Sequence, residues 1–386
     1  MRILQKEFFL FLAALLITAC SVDVSAPTAP SRATLPAPEV QTGRETPAYP
    51  SPGVTSTSRP LSSSNSQVPV VWADLKLSGK LVFVRTTQNS NEAVLSVQEL
   101  DLATGDLSTL FQAPSLSWIY TMSVSPDAKT LVMAYNPPGL NNAPSYTSLY
   151  QMPLDASQPP ARLFPSPLPE DQFFQPEWSP DGRYLYFAKT NYTTAPKDSH
   201  YPTFQVYRIP SAGGSLELLA DKAFWPRLSR DGKQLVYIAS SPQDGKNKIW
   251  LADPDGKNAR EMPLSAGAPD VIDAPVFSAD GQSLLFSSPG PAQPVKRFWL
   301  DQLLGVTLVE AHNVPSEWWR VPLAGGTPVQ LTHLQAPGLF ASLSPDGRFF
   351  ACYTANSLFV MNPDGSGLRL LLDNLGGTYG SVSWVP

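Results

Sequence analysis

The stretch Trp178-Ser179-Pro180-Asp181-Gly182-Arg183-Tyr184-Leu185-Tyr186-Phe187 constrains this chain more than any other, because its pattern recurs. An apolar run meets a Ser-x-Asp turn, and a second apolar run leaves it. The other copies are Val124-Ser125-Pro126-Asp127-Ala128, Leu228-Ser229-Arg230-Asp231-Gly232, Phe277-Ser278-Ala279-Asp280-Gly281 and Leu343-Ser344-Pro345-Asp346-Gly347. Their aspartates are 54, 50, 49 and 66 residues apart. Repetition at such a period marks an array of one supersecondary unit that buries its faces only against its neighbours.

A second pattern follows each first one. It is a short aromatic or aliphatic strand, as in Leu149–Met152, Val206–Ile209, Ile249–Ala252, Trp318–Val321 and Leu358–Met361. Turn dipeptides come next: Gly213-Gly214, Asp255-Gly256, Gly325-Gly326 and Asp364-Gly365. They supply the positive φ that tight hairpins need. A last strand closes the unit, as in Leu216–Ala220 and Pro328–Thr332. Four short antiparallel strands in about fifty residues make a propeller blade.

Leu77–Val84 matches only the second strand of the pattern, and Ser381–Pro386 only the first. One blade is therefore split between the two ends. Pairing the C-terminal strand into it closes the ring and removes exposed edges. The expected fold is all-β, a six-bladed β-propeller of four-stranded blades over residues 67–386, its first blade closed by the C-terminal strand. The Ser-Pro-Asp-Gly turn, Trp178, the later Tyr/Trp strand and the Gly-Gly turn resemble the WD40-like PD40 repeats of TolB-type propellers. That resemblance implies fold far more than function, since one scaffold hosts many activities. TolB carries an α/β domain ahead of its propeller, where this chain has the segments described next.

Residues 1–19 read as a lipoprotein signal peptide. Arg2 and Lys6 give a basic start, and Phe8–Ile17 is an apolar run too short to span a bilayer. Ile17-Thr18-Ala19-Cys20 resembles the bacterial lipobox, in which the Cys20 thiol takes the diacylglyceryl group. Multiple acyl chains on one residue give stable anchoring. Ser21 differs from the aspartate that retains lipoproteins at an inner membrane. From 20 to 66 the chain is rich in Pro, Ser, Thr and Ala, with Tyr49 its one aromatic residue after Cys20. Such a segment cannot bury enough apolar surface to offset its ordering entropy, so a disordered tether spanning on the order of 40 Å is expected. With Cys20 acylated, Cys352 is left alone in a strand-like run, so no disulfide is expected.

Connectivity gives the propeller two faces. Taking the side where each first strand begins as the front, the Ser-x-Asp turns lie at the back, and loops joining second to third strands lie at the front. Those front loops are long: Asn136–Thr147, Thr190–Thr203 with Tyr192, His200 and Tyr201, and Pro289–Glu317, whose Arg297–His312 part has helical character. Long variable loops on one rim are where binding usually resides. Four residues before the Trp178 position lie Tyr120, Phe174, Phe224, Asp273, Leu339 and Gly380, expected as one ring at the channel mouth. Glu177 and Arg227 precede that position by one residue in adjacent blades. The expected ligand-binding set is Tyr120, Phe174, Glu177, Phe224, Arg227 and Asp273. Both termini are expected at the back, with the tether leaving toward the membrane.

No G-x-S-x-G elbow is present. The three histidines, His200, His312 and His333, lack ligand spacing, so neither metal nor cofactor is expected. Asp253-Pro254-Asp255-Gly256 and Asn362-Pro363-Asp364-Gly365 lack the downstream glutamate of a calcium loop and read as hairpin turns. A net charge of −5 gives no case for nucleic acid. The expectation is a monomeric, lipid-anchored, extracytoplasmic module at the cell or outer membrane that binds an envelope protein or polysaccharide. The alternative is a glycosidase- or lyase-type propeller enzyme using Glu177 and Asp273.

Overall fold

A computed structural model of the chain describes residues 65–89, 92–138, 147–163, 171–191, 203–240, 246–290, 314–377 and 380–386. Cys20, the signal peptide and nearly all of the expected tether lie outside the described residues. So do Tyr192, His200, Tyr201, His312 and the Arg297–His312 segment.

The described chain opens with a short strand β1 (Asn65–Gln67) and a 3-10 turn (Ala73–Leu75). The meander β2 (Lys80–Asn89), β3 (Glu92–Asp101) and β4 (Asp106–Gln112) follows. Blade 2 comprises β5 (Trp118–Val124), β6 (Thr130–Asn136), β7 (Ser148–Pro153) and β8 (Ala161–Arg162). Blade 3 comprises β9 (Asp171–Trp178), β10 (Tyr184–Asn191), β11 (Gln205–Pro210) and β12 (Glu217–Asp221). Blade 4 comprises β13 (Ala223–Leu228), β14 (Leu235–Ser240), β15 (Asn247–Ala252) and β16 (Arg260–Glu261). Blade 5 comprises β17 (Asp273–Phe277), β18 (Ser283–Ser288), β19 (Glu317–Pro322) and β20 (Val329–Gln330). Blade 6 comprises β21 (Phe340–Leu343), β22 (Phe350–Tyr353), β23 (Leu358–Met361) and β24 (Arg369–Leu372), and the chain ends in β25 (Val382–Val385).

β25 pairs with β2, Val385 opposite Lys80 and Val382 opposite Phe83, so the split blade is completed by the C-terminal strand. First strands of successive blades touch all the way round, from β25 through β5, β9, β13, β17 and β21 back to β25. The ring is the six-bladed propeller read from the repeats. Its seam is tight at Gly79, where φ is +81° and a Cβ would lie 2.2 Å from the Val385 carbonyl oxygen. Trp384 Nε1 donates to the Ser78 carbonyl at 2.9 Å beside it.

The Ser-x-Asp turn is a closed hydrogen-bond unit. Ser179 Oγ donates to Asp181 Oδ1 at 2.6 Å and accepts the Tyr184 N–H at 2.9 Å. Asp181 Oδ1 also accepts the Arg183 N–H at 3.0 Å. The unit repeats at Ser125, Ser229, Ser278 and Ser344. Four copies place glycine at the left-handed position, and the fifth holds Ala128 there at φ 54°.

Two features depart from the sequence reading. The split blade carries a fifth strand, because β1 adds to the outer edge of β4, Asn65 opposite Ser108 and Gln67 opposite Asp106. The expected start at 67 thus falls inside a paired strand. β1 lies at the outer rim of this blade and runs toward the back, so Asn65 is the end of the strand farther from the back, where the sequence reading placed the N-terminal end at the back. Trp72 fixes the segment: it is fully buried, and its Nε1 donates to the Leu102 carbonyl at 2.8 Å.

Candidate functional site

The innermost strands are not regular. The pairing of β5, β9, β13 and β17 with their second strands slips between Ile119 and Met122, Phe174 and Arg227's counterpart Glu177, Phe224 and Arg227, and Asp273 and Val276. These are β-bulges, which bend a strand and re-aim its side chains. Three bulges hold a non-glycine residue in the left-handed region: Gln175 (φ 55°), Trp225 (φ 57°) and Ala274 (φ 43°).

The bulges free backbone N–H groups, and the neighbouring blade takes several of them. Met122 N donates to Ser381 Oγ at 2.8 Å, from blade 2 to the split blade. Gln175 N donates to Thr121 Oγ1 at 2.9 Å, and Trp225 N to Gln175 Oε1 at 2.7 Å. Nearer the back, Trp178 N donates to Ser123 Oγ at 3.3 Å and Trp384 N to Ser342 Oγ at 2.9 Å. Side chains of one blade thereby satisfy the backbone of the next, as buried polar groups require.

Phe174, Phe224 and Asp273 stand on the front side of their bulges, and Tyr120 lies within its own, next to Ile119. Tyr120, Phe174 and Phe224 belong to one contiguous aromatic row with Phe204, which precedes β11. Ring centroids are 5.7 Å apart for Tyr120–Phe174, 5.6 Å for Phe174–Phe204 and 6.2 Å for Phe204–Phe224. The first two contacts are edge-to-face, the favoured geometry for aromatic pairs. Tyr120, Phe204 and Phe224 are half-buried, whereas Phe174 is 9% exposed. Phe174→Ala therefore costs core packing, which alanine at the half-buried Tyr120 or Phe224 costs less. Phe204 sits in a variable loop with no fixed repeat position, so no repeat signal pointed to it.

The rest of the expected ring does not join the row as an exposed surface. Leu339 is buried in the interblade core. Gly380 is buried against Tyr353, whose Oη would lie 2.3 Å from a Cβ at that position. Asp273 is 3% exposed, with Oδ1 accepting the Ala274 N–H at 3.0 Å. A charged pair lies at the front end of β9 instead. Buried Asp171 accepts Lys189 Nζ at 3.0 Å and Asn191 Nδ2 at 3.0 Å. Lys189 Nζ also stands 5.7 Å from the centroid of the Tyr207 ring.

Glu177 and Arg227 pair directly, Arg227 Nη1 donating to Glu177 Oε2 between adjacent blades. Both side chains are 18% exposed. Burial raises the Glu177 carboxyl above its ordinary pKa, and the Arg227 guanidinium opposes that shift without cancelling it. The pair lies on the back side of the bulges. With Trp178, Trp384 and the turn residues Pro126, Pro180, Arg230 and Pro345 it lines a cavity of about 280 Å3 at the back of the channel. The six expected site residues thus fall into an aromatic group at the front, a charged group toward the back, and a buried Asp273.

No family model matches this chain. An uncharacterised protein of Agrobacterium fabrum is 27% identical over 120 residues, covering 29% of this chain and 38% of that protein. The chain thus matches well under half the length of that relative. Among solved structures, TolB from Acinetobacter baumannii aligns with a TM-score of 0.56 at 17% identity, over 80% of this chain and 67% of that one. The chain shares the TolB-type six-bladed fold. A TolB-like protein from Agrobacterium tumefaciens aligns with a TM-score of 0.50 at 18% identity, over 80% of this chain and 99% of that one. A chain of the nidogen/laminin complex aligns with a TM-score of 0.52 at 14% identity, over 79% and 98%. At these identities the likeness concerns the fold alone.

Proposed function

We propose that the chain is a lipid-anchored, extracytoplasmic binding propeller whose front face engages an envelope protein or polysaccharide. The observation that carries this is the row Tyr120–Phe174–Phe204–Phe224, three of whose rings are partly open at the front of consecutive blades. Rigid aromatic rings give large contact area at low entropic cost, to protein side chains and sugar faces alike. The Asp171–Lys189 pair at the front of blade 3 adds a polar rim. Support for protein as the occupant comes from the fold's use in the nidogen/laminin complex. Anchoring rests on Ile17-Thr18-Ala19-Cys20.

An enzyme reading would need Glu177 and Asp273 to share a substrate. Glu177 is engaged by Arg227, and Asp273 is buried on a non-adjacent inner strand. The binding reading is tested with Tyr120→Ala and Phe224→Ala, singly, in the full-length lipoprotein on intact cells. Each is expected to weaken cross-linking to envelope material while the purified variant melts within a few degrees of the parent. Unchanged cross-linking in both variants would overturn it. Incorporation of labelled palmitate that persists in Cys20→Ala would overturn the anchor.

A further inference from the structure

The cavity at the back of the channel is rich in hydrogen-bond donors. Arg230 occupies the turn position that carries proline in three other copies (Pro126, Pro180, Pro345) and Ala279 in the fourth. Its guanidinium reaches from blade 4 past blade 5 and donates to the Pro345 carbonyl of blade 6. A Cβ on Gly347 would lie 2.8 Å from Arg230 Nη1 and 2.8 Å from the Ala279 Cβ, so a glycine there leaves room for the crossing. Among the described residues no carboxylate pairs with Arg230.

Further groups face the same space. Trp178 adds ring surface to the lining, while its indole N–H is itself closed off from solvent. Ser123 and Ser342 line it too; each hydroxyl already accepts a backbone N–H, so its own O–H remains to donate. The charged side chains of the lining are Glu177, Arg227 and Arg230, and Arg227 neutralises Glu177. Among the side chains of the lining, the Arg230 guanidinium is left without a carboxylate partner. The turn aspartates around the back spend their carboxylates on their own Ser Oγ and backbone N–H groups. Val124, Phe277, Val382 and Trp384 supply apolar wall between the donors.

We infer that the back of the channel binds a carboxylate carried on a small apolar or aromatic stem, with Arg230 as its ion-pair partner and the Ser123 and Ser342 hydroxyls as further donors. A planar carboxylate matches the guanidinium fork, and the apolar wall suits a stem that a strongly hydrated phosphate lacks. This site is separate from the front face and does not depend on the function proposed for it.

The test is calorimetric titration of the full-length protein with benzoate, and with benzamide as its uncharged isostere. Saturable benzoate binding is expected, with benzamide at least about ten-fold weaker, as expected for one charge-assisted contact in a partly enclosed site. Arg230→Gln changes an exposed side chain, so it leaves the fold intact, and it should weaken benzoate by about ten-fold or more. Absence of benzoate binding, equal binding of benzamide, or undiminished affinity in Arg230→Gln would each overturn the assignment.

Discussion

Ser179→Ala is a sharp probe of what holds a blade together. Ser179 is 5% exposed, and its hydroxyl makes two bonds at once, donating to Asp181 and accepting from Tyr184 N. Alanine leaves the Tyr184 N–H without its acceptor, a loss of about 1–3 kcal/mol for a partly buried donor. The carboxylate suffers as well. The Ser179 hydrogen bond is the largest influence that holds Asp181 at about 2, ahead of the Arg183 backbone N–H. Because the folded pKa is depressed, its stabilising effect is present above the unfolded value and is lost as pH falls through the folded one. It is whole above about pH 4, about half gone by pH 3 and mostly gone by pH 2. The Asp181 side chain is 46% exposed, so solvent screening limits this share to about 1 kcal/mol or less. The expected total at pH 7 is about 2–3 kcal/mol. Urea titration should show an earlier midpoint with unchanged slope, and the gap from the parent should narrow between pH 5 and pH 3 by a few tenths of a kcal/mol, about half the carboxylate share. A variant as stable as the parent at pH 7, or a gap that widens toward pH 3, would refute the turn as a coupled Ser–Asp–backbone unit.

Two other outcomes follow from the packing. Gly79→Ala should open the seam, because its Cβ would collide with the Val385 carbonyl and its φ is left-handed; the expected loss is about 3 kcal/mol or more, read by thermal melting. Cys352 is fully buried, which pushes its thiol well above the usual range; it should resist iodoacetamide in the folded protein and react fully in concentrated guanidinium chloride.

The propeller was legible because its repeats carry both a turn and its flanking strands. Ser179, Asp181 and Gly182 each do a local job that recurs in the five whole blades, with Ala128 in place of the glycine in blade 2, and the half copies at Leu77–Val84 and Ser381–Pro386 announced the split blade. The extra strand β1 and the anchor Trp72 were not legible, since a single tryptophan in a polar stretch has no period to mark it. At the site, spacing alone brought Glu177 to Arg227 and Tyr120 to Phe174. It could not separate the two groups. The bulges do that, and they depend on left-handed Gln175 and Trp225, residue types that do not advertise that conformation. Phe204 and Arg230 were missed for opposite reasons. The first lies in a variable loop; the second lies in a conserved-looking turn whose regularity disguised its one odd residue.

The claim that the front face does the binding meets its most direct test in site-specific photo-cross-linking on intact cells. A benzophenone amino acid replaces Tyr120 at the front in one protein, and Lys257 in a hairpin turn at the back in another. The account predicts a discrete envelope adduct from position 120 that weakens when Phe224→Ala is added, and none of that adduct from position 257. The same adduct from position 257, or an adduct from 120 indifferent to Phe224→Ala, would contradict it.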